Sequence, residues 1–167
     1  MRVPFIKMHG LGNDFIVLDA RANALPAMAA RLAAALADRH TGIGCDQLIV
    51  LEESRRADLR MRIFNHDGSE VGACGNATRA ITLLEGRAVT IETAGGLLKA
   101  EPEASGISVD MGEPRFEWAD IPLAYAMDTH SLPLAWDGLE APTAVNVGNP
   151  HIIFFVADNG TVELDRL

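Results

Sequence analysis

Asn65-His66-Asp67-Gly68-Ser69-Glu70-Val71-Gly72-Ala73-Cys74-Gly75-Asn76-Ala77-Thr78-Arg79 carries the densest signal in the chain. His66-Asp67-Gly68 is a turn signal, and glycines then lead to a cysteine set directly before a helical pattern. Ala77, Ala80, Ile81 and Leu84 stand at the i, i+3, i+4, i+7 spacing of one helix face. The first turn of a helix has unpaired N–H groups and the positive end of the macrodipole. A thiol placed there sits in a field that favours negative charge, and the same N–H groups can hold a carboxylate. Gly75 lets a ligand come close to the backbone. Cys74 is therefore read as a reactive thiol suited to acid–base work, in preference to a packed small hydrophobe.

Working outward, Leu59, Met61 and Ile63 alternate with Arg60 and Arg62, the pattern of a half-exposed strand leading into the turn. Gln47 to Glu52 reads as another strand, and Phe15-Ile16-Val17-Leu18, ended by Asp19, as a buried one. Between them Leu25 to His40 is helical in pattern. Pro26 suits its first turn, Met28, Leu32 and Leu36 share a face, and Gly42 lies past its end. Downstream, strands are expected at Val89–Thr93, Leu97–Glu101 and Ile107–Asp110, separated by Gly95-Gly96 and Ser105-Gly106. A first domain over residues 1–112 closes there. Met111 to Thr143 reads as a crossover with short irregular strands. The longest apolar run, Ile152-Ile153-Phe154-Phe155-Val156-Ala157, is expected to be a buried strand. It belongs to a stretch, Gly148-Asn149-Pro150-His151 through Asp158, that echoes Gly12-Asn13-Asp14 through Asp19: a Gly-Asn turn and an apolar strand closed by Asp. Two similar halves are implied, with residues 113–167 as the start of a second domain that is incomplete in this chain.

The 167 residues are 49% hydrophobic and 22% charged, enough apolar material for a core. A formal charge of −9 argues against nucleic acid, which needs a basic face. No apolar run reaches the roughly 18 residues of a membrane span, and the N-terminus lacks a signal-peptide pattern, so no membrane partner and a cytoplasmic setting are expected. The two cysteines, Cys45 and Cys74, are too few for a disulfide scaffold. Lys7 and Lys99 are the two lysines, and neither sits where a Schiff base is suggested. His9, His40 and His130 lack the spacing of a metal site, and His66 reads as surface.

Asp67-Gly68-Ser69-Glu70-Val71 running into Cys74-Gly75-Asn76-Ala77-Thr78-Arg79 resembles the first cysteine motif of the diaminopimelate epimerase family. Lys7 through Phe15, Gly42-Ile43-Gly44-Cys45-Asp46-Gln47 and Val147-Gly148-Asn149-Pro150-His151 are similar to the family too. The resemblance runs in order to about Asp158. It implies an isomerase that interconverts LL- and meso-diaminopimelate, for lysine and peptidoglycan precursors, with no metal and no pyridoxal cofactor. One cysteine removes the α-proton while a second, on the opposite face, returns one. The family's catalytic thiol maps onto Cys74. Substrate contacts map onto Asn13, Gln47, Asn65, Gly75, Asn76 and Asn149, and a histidine that tunes the cysteines onto His151. The implied fold is α+β: two pseudo-symmetric domains, each a curved mixed sheet around a central helix, in a homodimer. Neutral amides that donate to carboxylates and accept from ammoniums suit such a substrate.

The family's second motif, with its Ala-Cys-Gly-Thr-Gly run, is absent, so the 167 residues alone are expected to be inactive. Cys45 stands where the family usually has a small residue; it packs as a small hydrophobe or lies close to the cleft. Alternatives on this reading are a proline racemase-like epimerase, a redox pair of Cys45 with Cys74, and a non-catalytic half that binds ligand or a partner.

Overall fold

The structure is a computed structural model that describes residues 3–163. The chain divides into two compact units, Met1–Gly112 and Glu113–Leu167.

In the first unit the strands are β1 (Ile6–Gly10), β2 (Asn13–Asp19), β3 (Gln47–Glu52), β4 (Leu59–Asn65), β5 (Glu70–Val71), β6 (Val89–Thr93), β7 (Gly96–Glu103) and β8 (Gly106–Asp110). The helices are α1 (Ala30–Ala37) and α2 (Gly75–Glu85). One eight-stranded sheet runs β1-β2-β3-β4-β6-β7-β8, with β5 added to β4. β2 is parallel to β3 and β4 parallel to β6, while the other pairs are antiparallel. Each parallel pair needs a long crossover; α1 lies in the first and α2 in the second.

Side-chain alternation divides the sheet into two apolar faces. Phe15, Val17, Ile49, Leu51, Leu59, Met61 and Ile63 pack with Ala77, Ala80 and Ile81 of α2. The alternate residues Ile16, Leu18, Leu48, Val50 and Phe64 pack with Ala33 and Ala37 of α1. Covered on both sides, β2 and β3 are nearly continuous buried runs. α2 meets β1 at one edge of the sheet and β6, β7 and β8 at the other. The sheet is therefore curled around it, the arrangement of a half-barrel with a helix inside.

Two details of the helices differ from the sequence reading. α1 starts at Ala30, not near Leu25: Ala29 offers no capping side chain, and Leu25 and Met28 pack against the core from non-helical chain. On α2, Leu84 is exposed, whereas Thr78 and Thr82 are fully buried. Their hydroxyls donate to the carbonyls of Cys74 and Thr78 at 3.0 and 2.8 Å, so each threonine enters the core with its polar group satisfied.

The second unit holds β9 (Ala135–Trp136), β10 (Leu139–Glu140), β11 (Thr143–Asn146) and β12 (Pro150–Ile153) in two hairpins. Ile121, Leu132 and Ala144 form its small core. The buried strand expected over Ile152–Ala157 is not found. β12 ends at Ile153 and all of its residues are exposed, as are Phe155 and Val156. Its one paired neighbour is β11, so an apolar run that reads as core has no cover among the described residues.

Candidate functional site

β2 and β3 run parallel with Phe15 opposite Gln47, and β4 returns antiparallel with Asn65 opposite Gln47. Asn13, Gln47 and Asn65 thus lie at the same end of three adjacent strands. Counting by twos from Phe15, Ile49 and Ile63 places all three on the face that α2 covers.

Two turns hold that end of the sheet. β1 and β2 are joined by Leu11-Gly12, both at positive φ (50° and 93°), with Gly10 opposite Asn13. This two-residue turn matches the twist of the strands, and glycine takes the conformation without strain. The Asn65–Gly68 turn closes through Gly68 N–H to the Asn65 carbonyl at 2.9 Å, and Asp67 caps it by accepting from the Ser69 N–H at 2.8 Å. A Cβ at Gly68 would lie 2.1 Å from the Ala30 carbonyl oxygen, so the turn abuts the start of α1 and needs glycine there.

β5 then delivers the chain to Cys74, which is the N-cap of α2. Its backbone is extended (φ −151°, ψ 108°), and its Sγ accepts from the Ala77 N–H at 3.4 Å, where a serine or aspartate oxygen would commonly sit. The thiol is partly buried against the α2-side core. No hydrogen bond among the described residues engages the N–H groups of Gly75 and Asn76, which remain open beside it.

Asn76 Nδ2 donates to Asn13 Oδ1 at 2.6 Å, and the Arg79 guanidinium donates to Asn76 Oδ1. Gln47 Nε2 donates to Asn65 Oδ1 at 3.0 Å, and Asn65 Nδ2 to Ser69 Oγ at 3.1 Å. Gln47 Oε1 is buried and has no partner among the described residues. Of the residues expected from sequence, Asn13 bonds to Asn76 beside Cys74 and Gly75 at the N-terminus of α2, while Gln47 and Asn65 form a second bonded pair at the same end of the sheet, on the face that α2 covers. Arg79 and Ser69 join them by hydrogen bonds and are not among the residues expected from sequence; the i, i+3 spacing of Asn76 and Arg79 is a signal that could have found the first.

Asn149 and His151 belong to the second unit. β11 and β12 flank Val147-Gly148-Asn149, with Gly148 at φ 103°. His151 is exposed, and its Nδ1 lies 3.0 Å from the Asn149 carbonyl oxygen.

Cys45 does not join the site. It is 1% exposed among Ile16, Ala33, Ala37 and Leu48, and burial pushes its thiol pKa up. Cys45 and Cys74 pack on opposite faces of the sheet, which gives the redox pairing no support.

Residues 5–117 match the family model described as diaminopimelate epimerase. The diaminopimelate epimerase of Erythrobacter litoralis is 65% identical over 167 residues, spanning 100% of this chain and 62% of its own length. That of Rhizorhabdus wittichii is 62% identical, spanning 100% of this chain and 61% of its own. The chain therefore spans about three-fifths of the length of these relatives. Among solved structures, a probable proline racemase from Agrobacterium radiobacter K84 superposes with a TM-score of 0.61 at 16% identity, covering 96% of this chain and 54% of that one, a likeness of fold. The family match, spread over most of the first unit and carrying the cysteine at its helix terminus, makes the chain a member of the diaminopimelate epimerase family.

Proposed function

We propose that the protein epimerises LL-diaminopimelate to the meso form by cysteine acid–base chemistry, with Cys74 as one of the two groups that exchange the α-proton. The observation that carries this reading is Cys74 at the N-cap of α2, beside two unengaged N–H groups. The α-carboxylate lies against the Gly75 and Asn76 N–H groups, where charge developing on deprotonation is stabilised by donors already in place. Among the described residues a Cβ at Gly75 would meet Arg79 and Met111 at 3.8 and 3.9 Å, ordinary contact distances, so the glycine serves the approach of the ligand more than the packing of the chain. Asn13, Gln47, Asn65 and Asn76 supply the amides around the substrate.

Inversion needs an acid and a base on opposite faces of one carbon. Cys45 is not the second group, being enclosed on the other side of the sheet. In this proposal a second thiol comes from the further length that the relatives have, with Asn149 contacting substrate and His151 tuning the thiols. Residues 113–167 belong to a second domain of similar kind: β11–β12, like β1–β2, is an antiparallel hairpin that turns through a positive-φ glycine before an asparagine. No metal or organic cofactor takes part, and the protein works as a cytoplasmic homodimer in lysine and peptidoglycan precursor synthesis.

The test is α-proton exchange of LL-diaminopimelate in deuterated water, with formation of the meso isomer, by the chain continued to the length of its relatives. Turnover that needs Cys74 supports the proposal. Turnover that survives Cys74→Ala, or no turnover of diaminopimelate while proline is racemised, overturns it.

A further inference from the structure

The amides around Cys74 are not independent of one another. Arg79 has donors and no acceptor, so the Asn76 atom facing it must be Oδ1. That leaves Asn76 Nδ2 to donate to Asn13 Oδ1 at 2.6 Å. Asn13 then has one polar group left, its Nδ2, a donor with no partner among the described residues. Reversing the asparagines would aim Asn76 Nδ2 at a guanidinium. One cation thus dictates the direction of the whole chain of bonds.

A second chain runs the opposite way. The Asp67 carboxylate accepts and cannot donate. Ser69 Oγ donates to it at 2.6 Å and so has lone pairs left for Asn65 Nδ2 at 3.1 Å. Asn65 Oδ1 accepts from Gln47 Nε2 at 3.0 Å. The end of this chain is Gln47 Oε1, an acceptor that is buried and has no partner among the described residues. The hydrogen bonds from Ser69 hold the Asp67 carboxyl below its ordinary value.

We propose that Arg79 and Asp67 are positioning residues that anchor two hydrogen-bond relays of opposite polarity, one ending in a donor at Asn13 and the other in an acceptor at Gln47, and that this pair of ends reads the zwitterionic carboxylate–ammonium character of an amino-acid substrate. Both ends lie on the α2 face, at the same end of adjacent strands. From the register and ordinary strand spacings their Cα atoms are about 8 Å apart, within reach of one ligand. A carboxylate requires donors and an ammonium requires acceptors, and a bound ammonium would satisfy Gln47 Oε1. An amide without an anchored neighbour could present either group. Here each would need to reverse its relay against a full charge. The identity of the ligand rests on the function proposed above; the relays themselves do not.

Side-chain amide resonances test the relays without any substrate. In the 167-residue chain, Arg79→Gln should shift the Asn76 and Asn13 amide signals and leave Gln47 and Asn65 in place. Asp67→Asn should do the reverse, and Ser69→Ala, which cuts the second relay at another link, should reproduce it. Arg79→Lys, again a donor only, should restore the Asn76 and Asn13 signals. Both pairs moving in every variant, or neither moving in any, overturns the relays. In the chain continued to the length of its relatives, Asp67→Asn should raise KM for LL-diaminopimelate about tenfold with a smaller change in kcat. That rise should vanish in a Gln47→Ala background, since a residue acting only through Gln47 has nothing further to lose. Additive effects overturn the role of Asp67 in recognition. The expected amide shifts in a protein that does not turn over diaminopimelate would support the relays and refute the proposed function.

Discussion

Asn13 and Asp14 are neighbours on one strand, yet they serve opposite faces of the sheet. Asn13, like Phe15 and Val17, belongs to the α2 side and ends in the cluster around Cys74. Asp14, in step with Ile16 and Leu18, belongs to the α1 side, where it accepts from Lys7 at 2.7 Å and Arg39 at 2.6 Å. Gln47, the first residue of β3, and Asp46 just before it repeat the division. Asp14 N–H donates to the Asp46 carboxylate at 2.9 Å and Asp46 N–H donates to the Asp14 carboxylate at 3.0 Å, fixing the backbone between the two candidate binding residues. The two-residue period of a strand lets one face carry amides open to a ligand while the other supplies the ions that hold them.

If that division is sound, the proton-transfer step should respond strongly to one face only. In the chain continued to the length of its relatives, and on the function proposed above, Cys74→Ala is expected to lower α-proton exchange by a factor of about 10² to 10⁴, the ordinary weight of a positioned acid or base. Cys45→Ala should leave the rate per folded molecule within about twofold, at a stability cost of about 1 kcal/mol for one lost buried atom. Equal losses of exchange from the two substitutions would break the comparison.

Stability, in contrast, should respond to both faces. Ile16 and Ile81 are each fully buried, on the α1 and α2 sides respectively. Truncation of either to alanine should cost about 2–5 kcal/mol in urea unfolding. Ile16→Ala protein that remains folded should keep the native KM, while Ile81→Ala, one helical turn past Ala77, is expected to raise it. An unchanged KM in both would mean that α2 does not need its packing to hold the site.

The strands of the first unit were legible because alternation and β-branched runs report burial directly. The cysteine motif at a helix start was legible for a similar reason, since the turn, the glycines and the apolar spacing agree. What was hidden depended on partners. The apolar count put Leu84 on the buried face of α2, and Thr78 and Thr82 took that place because their hydroxyls bond back to the preceding turn. The run from Ile152 looked like core by composition, but burial is conferred by neighbouring elements, and among the described residues β12 pairs with β11 alone. Asn13 and Gln47 could be named from the family motifs. The direction in which each amide points could not, because Arg79 and Asp67 set it through bonds that cross between elements.

The smallest expected effect concerns the ions on the α1 side. The Arg39 guanidinium, opposed by partial desolvation and aided by Lys7 and Asp46, holds the Asp14 carboxyl well below the ordinary value of 3.8. A carboxylate with a lowered pKa in the folded state favours folding at every pH above its unfolded value. That contribution fades as the pH falls from about 3.8 toward the folded pKa, because the unfolded chain takes up the proton first. Arg39 is 54% exposed, so solvent screens the pairing and the contribution is modest. Asp14→Asn should therefore lower Tm by only a few degrees at neutral pH. The gap to the native protein should narrow steadily below about pH 3.8, and added salt should narrow it at neutral pH as well. A gap that stays constant with pH and salt would show that the carboxylate's shape, not its charge, joins the two strands. In that event the ions would not be what steadies Asn13 and Gln47, and the variant should change Tm with no effect on KM. If the charge is the link, KM for LL-diaminopimelate should rise by about twofold, less than a direct contact would cost because the reciprocal backbone bonds can partly re-form on the amide.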